Sequence, residues 1–254
     1  MVKVYQKENV YEAFNHRLDY ICNYFDHLII SFSGGKDSGL MLELVYLYYK
    51  SHKLVEKGIK VSVFYLDYEG NYQETKDYIH RSMGKYPEFE YYHICLPVSA
   101  SCGISMSQST WLPWDPDHKE LWLNTIPKGA IHLENQDFSF FKVGMSDYDF
   151  QSKFCQWLHN EKGATRTAVL VGIRAQESLN RYNAVTRDET FSRFGTTNYS
   201  HRISKDVFNF YPMYDWLFAD IWRANAKFEF DYNHLYDLYY QAGVPFKSMR
   251  VANP

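Results

Sequence analysis

The chain has 254 residues, 46% hydrophobic and 22% charged, with a net charge of −3. That length suffices for one α/β core with an appendage, and the charge balance excludes a global pull toward nucleic acid while leaving room for a local basic groove. The segment Met1–Phe14 lacks the uninterrupted apolar core of a secretory leader and no long apolar span follows it, so a cytoplasmic protein without membrane insertion is expected.

Taken in chain order, Asn9–Tyr24 predicts an entry helix, with Val10, Phe14 and Leu18 on one face joined by Ile21. Leu28–Phe32 is an apolar strand that runs into Ser33-Gly34-Gly35-Lys36-Asp37-Ser38, and a long apolar helix follows at once. Two glycines permit a tight turn with inward N–H groups, and Ser33 and Ser38 add hydroxyl donors. A helix start contributes unpaired N–H groups and about half a positive charge, so the turn is suited to phosphate. Lys36 adds a full charge there, fitting a pyrophosphate leaving group. Asp37 would repel phosphate unless a cation intervened, which predicts Mg²⁺ at that carboxylate. The spacing is not that of a Walker A loop, which has four residues between its first glycine and Gly-Lys-Ser/Thr.

In the helix that follows, Leu40, Leu44 and Leu47 form one stripe and Met41, Val45 and Tyr48 another, so it is expected to be sandwiched in the core. Gly58 ends the unit. Lys60–Asp67 reads as a buried strand ending in a carboxylate, Tyr72–Met83 as a helix and Phe89–Leu96 as a third strand. This alternation predicts a doubly wound, mostly parallel sheet with ligands at the carboxyl ends of its strands, where Ser33 and Asp67 fall. From Pro97 to Gly144 the periodicity stops, and Trp111, Trp114 and Trp122 alternate with Pro113, Pro116 and Pro127. The segment is too aromatic for a disordered linker. It reads as an ordered insertion, either a lid over the site or a structural flap.

Helix returns over Asp147–Lys162, and Thr167–Arg174 is a fourth strand that should lie beside the first. Its end carries Gly172, Ile173, Arg174, Glu177 and Arg181. A glycine there allows close approach of a purine or ribose, and the two arginines offer planar forks to phosphate oxygens with Glu177 orienting one of them. A fifth strand is expected near Val207–Tyr211, then helical segments around Trp216–Ala226 and Tyr232–Ala242. The stretch from Arg187 to Arg202 sets Arg193, Phe194, Tyr199 and His201 close together, either as a loop over the site or as aromatic platforms beside basic groups. The four cysteines, Cys22, Cys95, Cys102 and Cys155, lack Cys-x-x-Cys spacing. They argue against a zinc ribbon or an iron–sulfur site held by this chain alone, and read as buried or inert thiols in a reducing compartment.

Ser33–Ser38 resembles the PP-loop of the N-type ATP pyrophosphatases, the superfamily of adenine nucleotide alpha hydrolase-like (HUP) proteins that includes phosphoadenosine phosphosulfate (PAPS) reductases. Gly172-Ile173-Arg174 with Glu177-Ser178 and Arg181 resembles the second PAPS-reductase signature. Tyr211–Trp216 with Asp220-Ile221-Trp222, and Tyr232–Leu238, resemble its downstream motifs. Tyr91–Pro97, Trp114-Asp115-Pro116 and Ala242-Gly243-Val244 ahead of Arg250 are similar to the immunoglobulin-binding regulator A (IbrA) branch, which implies a ParB-like partner. Full-length members of that branch continue beyond Asn253-Pro254, so a C-terminal part is expected to be absent. The reductase's C-terminal nucleophilic cysteine has no counterpart after Cys155, so reduction of PAPS is not expected.

The resemblance implies a Rossmann-like five-stranded sheet over a single domain, residues 1–254, with the insertion at 97–144 and a helical part at 212–254. It implies an adenine nucleotide, ATP or PAPS-like, held by Ser31, Phe32, Ser33, Gly34, Gly35, Lys36, Asp37, Ser38, Asp67, Gly172, Ile173, Arg174, Glu177 and Arg181. Lys36, Asp37 and Arg174 would be catalytic, with Asp37 on Mg²⁺. For Asp67, a place near the ribose or adenine stands beside a plain helix N-terminal acid. The implied reaction is cleavage of ATP between its α and β phosphates. A nucleotide sensor acting with a ParB-like partner, and sulfur transfer to nucleic acid, are the alternatives.

Overall fold

The computed structural model describes residues 7–102, 105–178, 181–183 and 192–251. Arg187 and the terminal Asn253-Pro254 lie outside the described residues. Helix α1 (Val10–Tyr24) begins at Asn9, whose side chain accepts from the N–H groups of Tyr11 and Glu12 while Glu12 reaches back to it. Strand β1 (His27–Ser31) follows, then α2 (Lys36–Ser51), β2 (Lys60–Leu66), α3 (Gln73–Ser82) and β3 (Glu90–Cys95). After the short strands β4 (Ala100–Ser101), β5 (Thr110–Trp111) and β6 (Ile131–His132) come α4 (Asp147–Glu161) and β7 (Thr167–Val171). Strands β8 (Ser200–Arg202) and β9 (Val207–Phe210) precede α5 (Phe218–Phe228) and α6 (Leu235–Gln241).

The main sheet has seven strands in the order β6-β3-β2-β1-β7-β9-β8, two more than the five expected. The five expected strands are its centre. The additions are edges: β6 adds two residues parallel to β3, and β8 adds three antiparallel to β9. Runs that short carry no periodicity for a sequence to display. Every other pairing in this sheet is parallel, as right-handed crossovers require. The chain winds outward from β1 through β2 and β3, then returns to build β7 and β9 on the other side, so the switch point lies between β1 and β7.

Both faces are covered. Phe14, Leu18 and Ile21 of α1, Tyr78 and Ile79 of α3 and Ile221 of α5 share one core with Leu28, Ile30, Val61 and Val63 of the sheet. Of the two stripes of helix α2, Leu40, Leu44, Met41, Val45 and Tyr48 are buried and Leu47 is half-buried. The other face packs Phe150, Phe154 and Leu158 of α4 on Ile29, Phe64, Leu66 and Val169, with Phe138 of the 97–144 segment added. The aromatic richness is spent largely in such clusters. Phe194 is one instance: its ring lies 4.7 Å from that of Phe25 and 5.2 Å from that of Phe208. Phe194 is thus a half-buried packing residue, held to the core by one side of its ring. No helix among the described residues is long and apolar enough to cross a membrane.

The amino ends of β1, β2 and β7 are joined by His27, which is fully buried. Its ring nitrogens lie 3.1 Å from Thr167 Oγ1 and 2.9 Å from Ser62 Oγ. Burial, reinforced by the charge of Lys162, lowers its pKa from 6.5 to about 4. The unfolded chain therefore takes up a proton that the folded chain refuses, so stability is full above about pH 6.5 and falls as pH drops toward about 4. The loss is about 3 kcal/mol at roughly 1.4 kcal/mol per pH unit. Urea unfolding across this range is expected to show that slope in the wild type and a shallower one in His27→Gln. Equal slopes would remove His27 as its source.

Candidate functional site

The turn after β1 is shaped by its own side chains. Ser33 and Ser38 hydroxyls sit 2.9 Å apart, the Ser33 N–H donates to Ser38 Oγ at 3.1 Å, and the Ser38 hydroxyl donates to the Gly35 carbonyl at 3.2 Å. Gly34 holds a φ of 72°, and a Cβ there would come within 3.1 Å of Ile79, so both conformation and space require glycine. Gly35 is the N-cap of α2 and supplies no side-chain cap. The first-turn N–H groups of a helix have no acceptor of their own. Ser31 is the last residue of β1, in register with Phe64 and Val171. Phe32 continues the pairing through its N–H to Phe64, but its ring is buried beside Tyr65 and Tyr78. Only its backbone is left for a ligand.

Two residues not among the expected contacts brace this turn from the far end of the chain. Asn233 is fully buried and donates to the Gly34 carbonyl and to Thr75 Oγ1, each at 2.9 Å, while its Oδ1 accepts from the Leu235 N–H at 3.0 Å. The Tyr236 hydroxyl accepts from the Lys36 N–H at 3.2 Å. Burial raises the Tyr236 pKa, so the hydroxyl stays protonated. The signal in the sequence was the Tyr232–Leu238 motif itself. Nothing in one dimension says that it reaches back to Gly34.

Charge converges at the same place. Asp37 stands between two cations: its Oδ2 lies 2.8 Å from Lys36 Nζ, and its Oδ1 is bonded by Arg174 Nε. Arg174 NH2 lies 3.6 Å from Glu177 Oε1, and the other Glu177 oxygen pairs with Arg181. Three cations face two carboxylates. The Lys36 ammonium also sits 5.7 and 5.5 Å from the ring centroids of Phe218 and Tyr236. Lys36, Asp37 and Arg174 are all buried, and buried charges of this kind persist only when paired.

The strand end adds the remaining contacts. Ile173 turns back with its N–H on the Val171 carbonyl at 2.8 Å. A Cβ on Gly172 would lie 3.2 Å from the backbone of Asp37 and of Ser38. Gly172 is therefore spent on letting β7 approach the start of α2, not on approach of a nucleotide. Asp37, expected as a Mg²⁺ ligand, does not fit one as placed. Both its oxygens already face a positive group, so an ion there would have to displace Lys36 or Arg174 from one of them.

Asp67 belongs to a different cluster. Its Oδ1 accepts from the Glu69 N–H at 2.8 Å and Asn71 Nδ2 at 3.2 Å, and its Oδ2 lies 2.8 Å from His93 Nε2. The segment that leaves at Pro97 and returns at Gly144, whose N–H donates to the Pro97 carbonyl at 2.9 Å, is fastened beside it. Trp114 Nε1 donates to the Asp67 carbonyl at 2.7 Å, and the buried Glu69 carboxylate accepts from the N–H groups of Trp114 at 2.7 Å and Leu123 at 2.6 Å. Glu69 and Trp114 both take left-handed backbone conformations, with φ of 68° and 55°. That strain is held by the three bonds just named.

The model of the phosphoadenosine phosphosulfate reductase domain matches residues 128–242, which includes Gly172–Arg181 and the Asn233–Tyr236 brace. A curated relative, the uncharacterized protein YbdN of Escherichia coli (strain K12), is 33% identical over 256 residues, 97% of this chain and 59% of the relative. The chain thus spans less than two thirds of that relative's length. Among solved structures, FMN adenylyltransferase of Candida glabrata with FAD and inorganic pyrophosphate is similar at a TM-score of 0.49 and 12% identity, covering 92% of this chain and 64% of that one. PAPS reductase of Candida auris in a phosphate complex has a TM-score of 0.44 and 15% identity, with 94% of each chain covered. The U34-tRNA thiolase NcsA of Methanococcus maripaludis with its [4Fe-4S] cluster has a TM-score of 0.43 and 12% identity, covering 96% of this chain and 76% of that one.

The brace yields a test. Asn233→Ala leaves the Gly34 carbonyl, Thr75 and the Leu235 N–H without their partner in a buried setting, at about 1–3 kcal/mol for each unsatisfied group. Denaturant unfolding is expected to show a loss of about 3 kcal/mol, with faster amide exchange at 34–36. Exchange unchanged in that variant would mean that the turn holds its shape alone.

Proposed function

We propose that this chain, whose residues 128–242 match the phosphoadenosine phosphosulfate reductase domain, binds ATP through the turn at 33–38 and cleaves it between the α and β phosphates. The observation that carries this reading is the meeting, at the β1/β7 switch point, of Lys36, Arg174 and Arg181 with a helix start whose N-cap, Gly35, supplies no side chain. Switch-point crevices at strand carboxyl ends are where open α/β sheets take their ligands.

In this reading the backbone N–H groups of the turn and the Ser33 and Ser38 hydroxyls receive the β and γ phosphates. Ser31, Phe32 and Ile173 would meet the adenosine by their backbones. A nucleophile attacks the α phosphorus, the bond to the bridging oxygen breaks, and its electron pair leaves with pyrophosphate. Lys36 offsets the charge growing on that oxygen, and Arg174 stabilises the equatorial oxygens. Asp37 and Glu177 hold these cations in place before the nucleotide arrives, so they are positioning residues. Arg181, half exposed, reaches the outer phosphates. Magnesium would enter as the counter-ion that ATP carries. Asp67, paired with His93 outside the charge network around Asp37, is given no role in the cleavage step.

Reduction of PAPS is not part of the proposal. Burial raises the thiol pKa of Cys95 far above neutrality and pushes those of Cys22 and Cys155 up to about 12, so none of the three is a ready thiolate.

Incubation with α-labelled ATP and Mg²⁺ is expected to release pyrophosphate and leave AMP or an adenylylated acceptor. Lys36→Ala should slow this by about 10²–10³-fold, with its far-UV circular dichroism unchanged. Release at the wild-type rate by Lys36→Ala would remove the turn from the chemistry. Tight binding by the wild type with no product over hours would leave a nucleotide sensor in place of an enzyme.

A further inference from the structure

We propose that Asp67, His93 and Cys95 form a binding site for one zinc-class divalent cation at the carboxyl ends of β2 and β3. The proposal does not rest on the nucleotide reading, since none of the three residues belongs to the charge network around Asp37.

The sheet itself brings the three together. Tyr65 pairs with His93 and Leu66 with Ile94, and the Asp67 N–H continues the ladder to the Ile94 carbonyl at 2.8 Å. Asp67 therefore falls alongside Cys95. Successive strand residues point to opposite faces, so His93 and Cys95, two apart, share one. One ligand atom from each residue lies within 4.8 Å of the other two. Zinc bonds of about 2.0–2.3 Å place tetrahedral donors roughly 3.5 Å apart, so small side-chain adjustments close the site around an ion. The ion would replace the present Asp67–His93 hydrogen bond with two coordinate bonds.

The donor types choose the metal. On binding the ion the Cys95 thiol would release its proton to solvent, and the resulting thiolate with an imidazole and one carboxylate suits zinc and its transition-metal neighbours and disfavours magnesium and calcium, which take oxygen. The outer partners are also in place. Glu69 and Asn71 hold Asp67 Oδ1 and leave Oδ2 for the ion, while Asn71 Nδ2 is itself 3.0 Å from the Tyr65 hydroxyl. Trp114 and Ala130 cover Cys95, which is 1% exposed. On the open side, Asp67 and His93 line a cavity of about 580 Å³ together with Lys76, Trp114 and Asn124. Asp67 and His93 face this cavity while Cys95 lines the neighbouring one, so an ion held by the three keeps a fourth position for water or a donor atom of a substrate, the arrangement of a reactive zinc site, not of a closed structural one.

Cobalt(II) is the probe, because its bond to a thiolate absorbs in the near ultraviolet where the free ion does not. Titration of the full chain is expected to give one equivalent of tightly held cobalt with that band, displaced by zinc. The band should persist in Cys102→Ser, vanish in Cys95→Ser, and need at least tenfold more cobalt in His93→Gln. A wild type with no band would overturn the proposal, as would a band that survives Cys95→Ser or that is lost in Cys102→Ser.

Discussion

The carboxylate of Asp37, buried between Lys36 and Arg174, is the interaction on which the working edge of this protein depends. None of these three charges is stable in the interior alone, and removing any one strands the others. The pairing joins the first turn of α2 to the end of β7, two elements separated by more than half the chain. Gly172 makes the meeting possible by leaving no Cβ between them. The same balance keeps two cations poised in the crevice without a phosphate to neutralise them.

The edge of the sheet is divided into two halves with different chemistry. On the β1/β7 side, cationic groups and helix N–H donors gather around a turn that Asn233 and Tyr236 hold in shape. On the β2/β3 side, carboxylate, imidazole and thiol gather under the 97–144 segment, which Glu69 fastens through two backbone N–H groups. Thr75 at the start of α3 links the halves, since it shares Asn233 with the turn. An acceptor bound over the β2/β3 half would lie beside a nucleotide bound over the other.

Much of the fold was legible because it is written in local pattern. The alternating β and α periods, the double apolar stripe of α2 and the glycine turn between β1 and α2 are each contained in a few consecutive residues. The neighbour relation of β1 and β7 followed from the handedness of crossovers and needed no contact information. The gaps were of another kind. Phe194 looks like a platform beside basic residues, yet its half-buried ring packs edge-on against Phe25, Phe208 and Phe210. Asp67 ends an apolar strand as a ribose-binding acid would, and the structure adds partners that the sequence did not show: the Glu69 N–H, Asn71 and His93.

The sequence by itself determined that a strand, a glycine turn and a helix make a phosphate-suited corner in a parallel α/β sheet. Backbone conformation and hydrophobic period are local properties, and they suffice for that. Only the tertiary structure decided which side chains meet there: that Asp37 is claimed by two cations, that a helix some 200 positions later braces the turn, and that His93 and Cys95 share a face with Asp67. Such pairings are set by how separate elements dock in three dimensions, where partners distant along the chain compete for one buried group, and no short stretch of residues encodes the outcome.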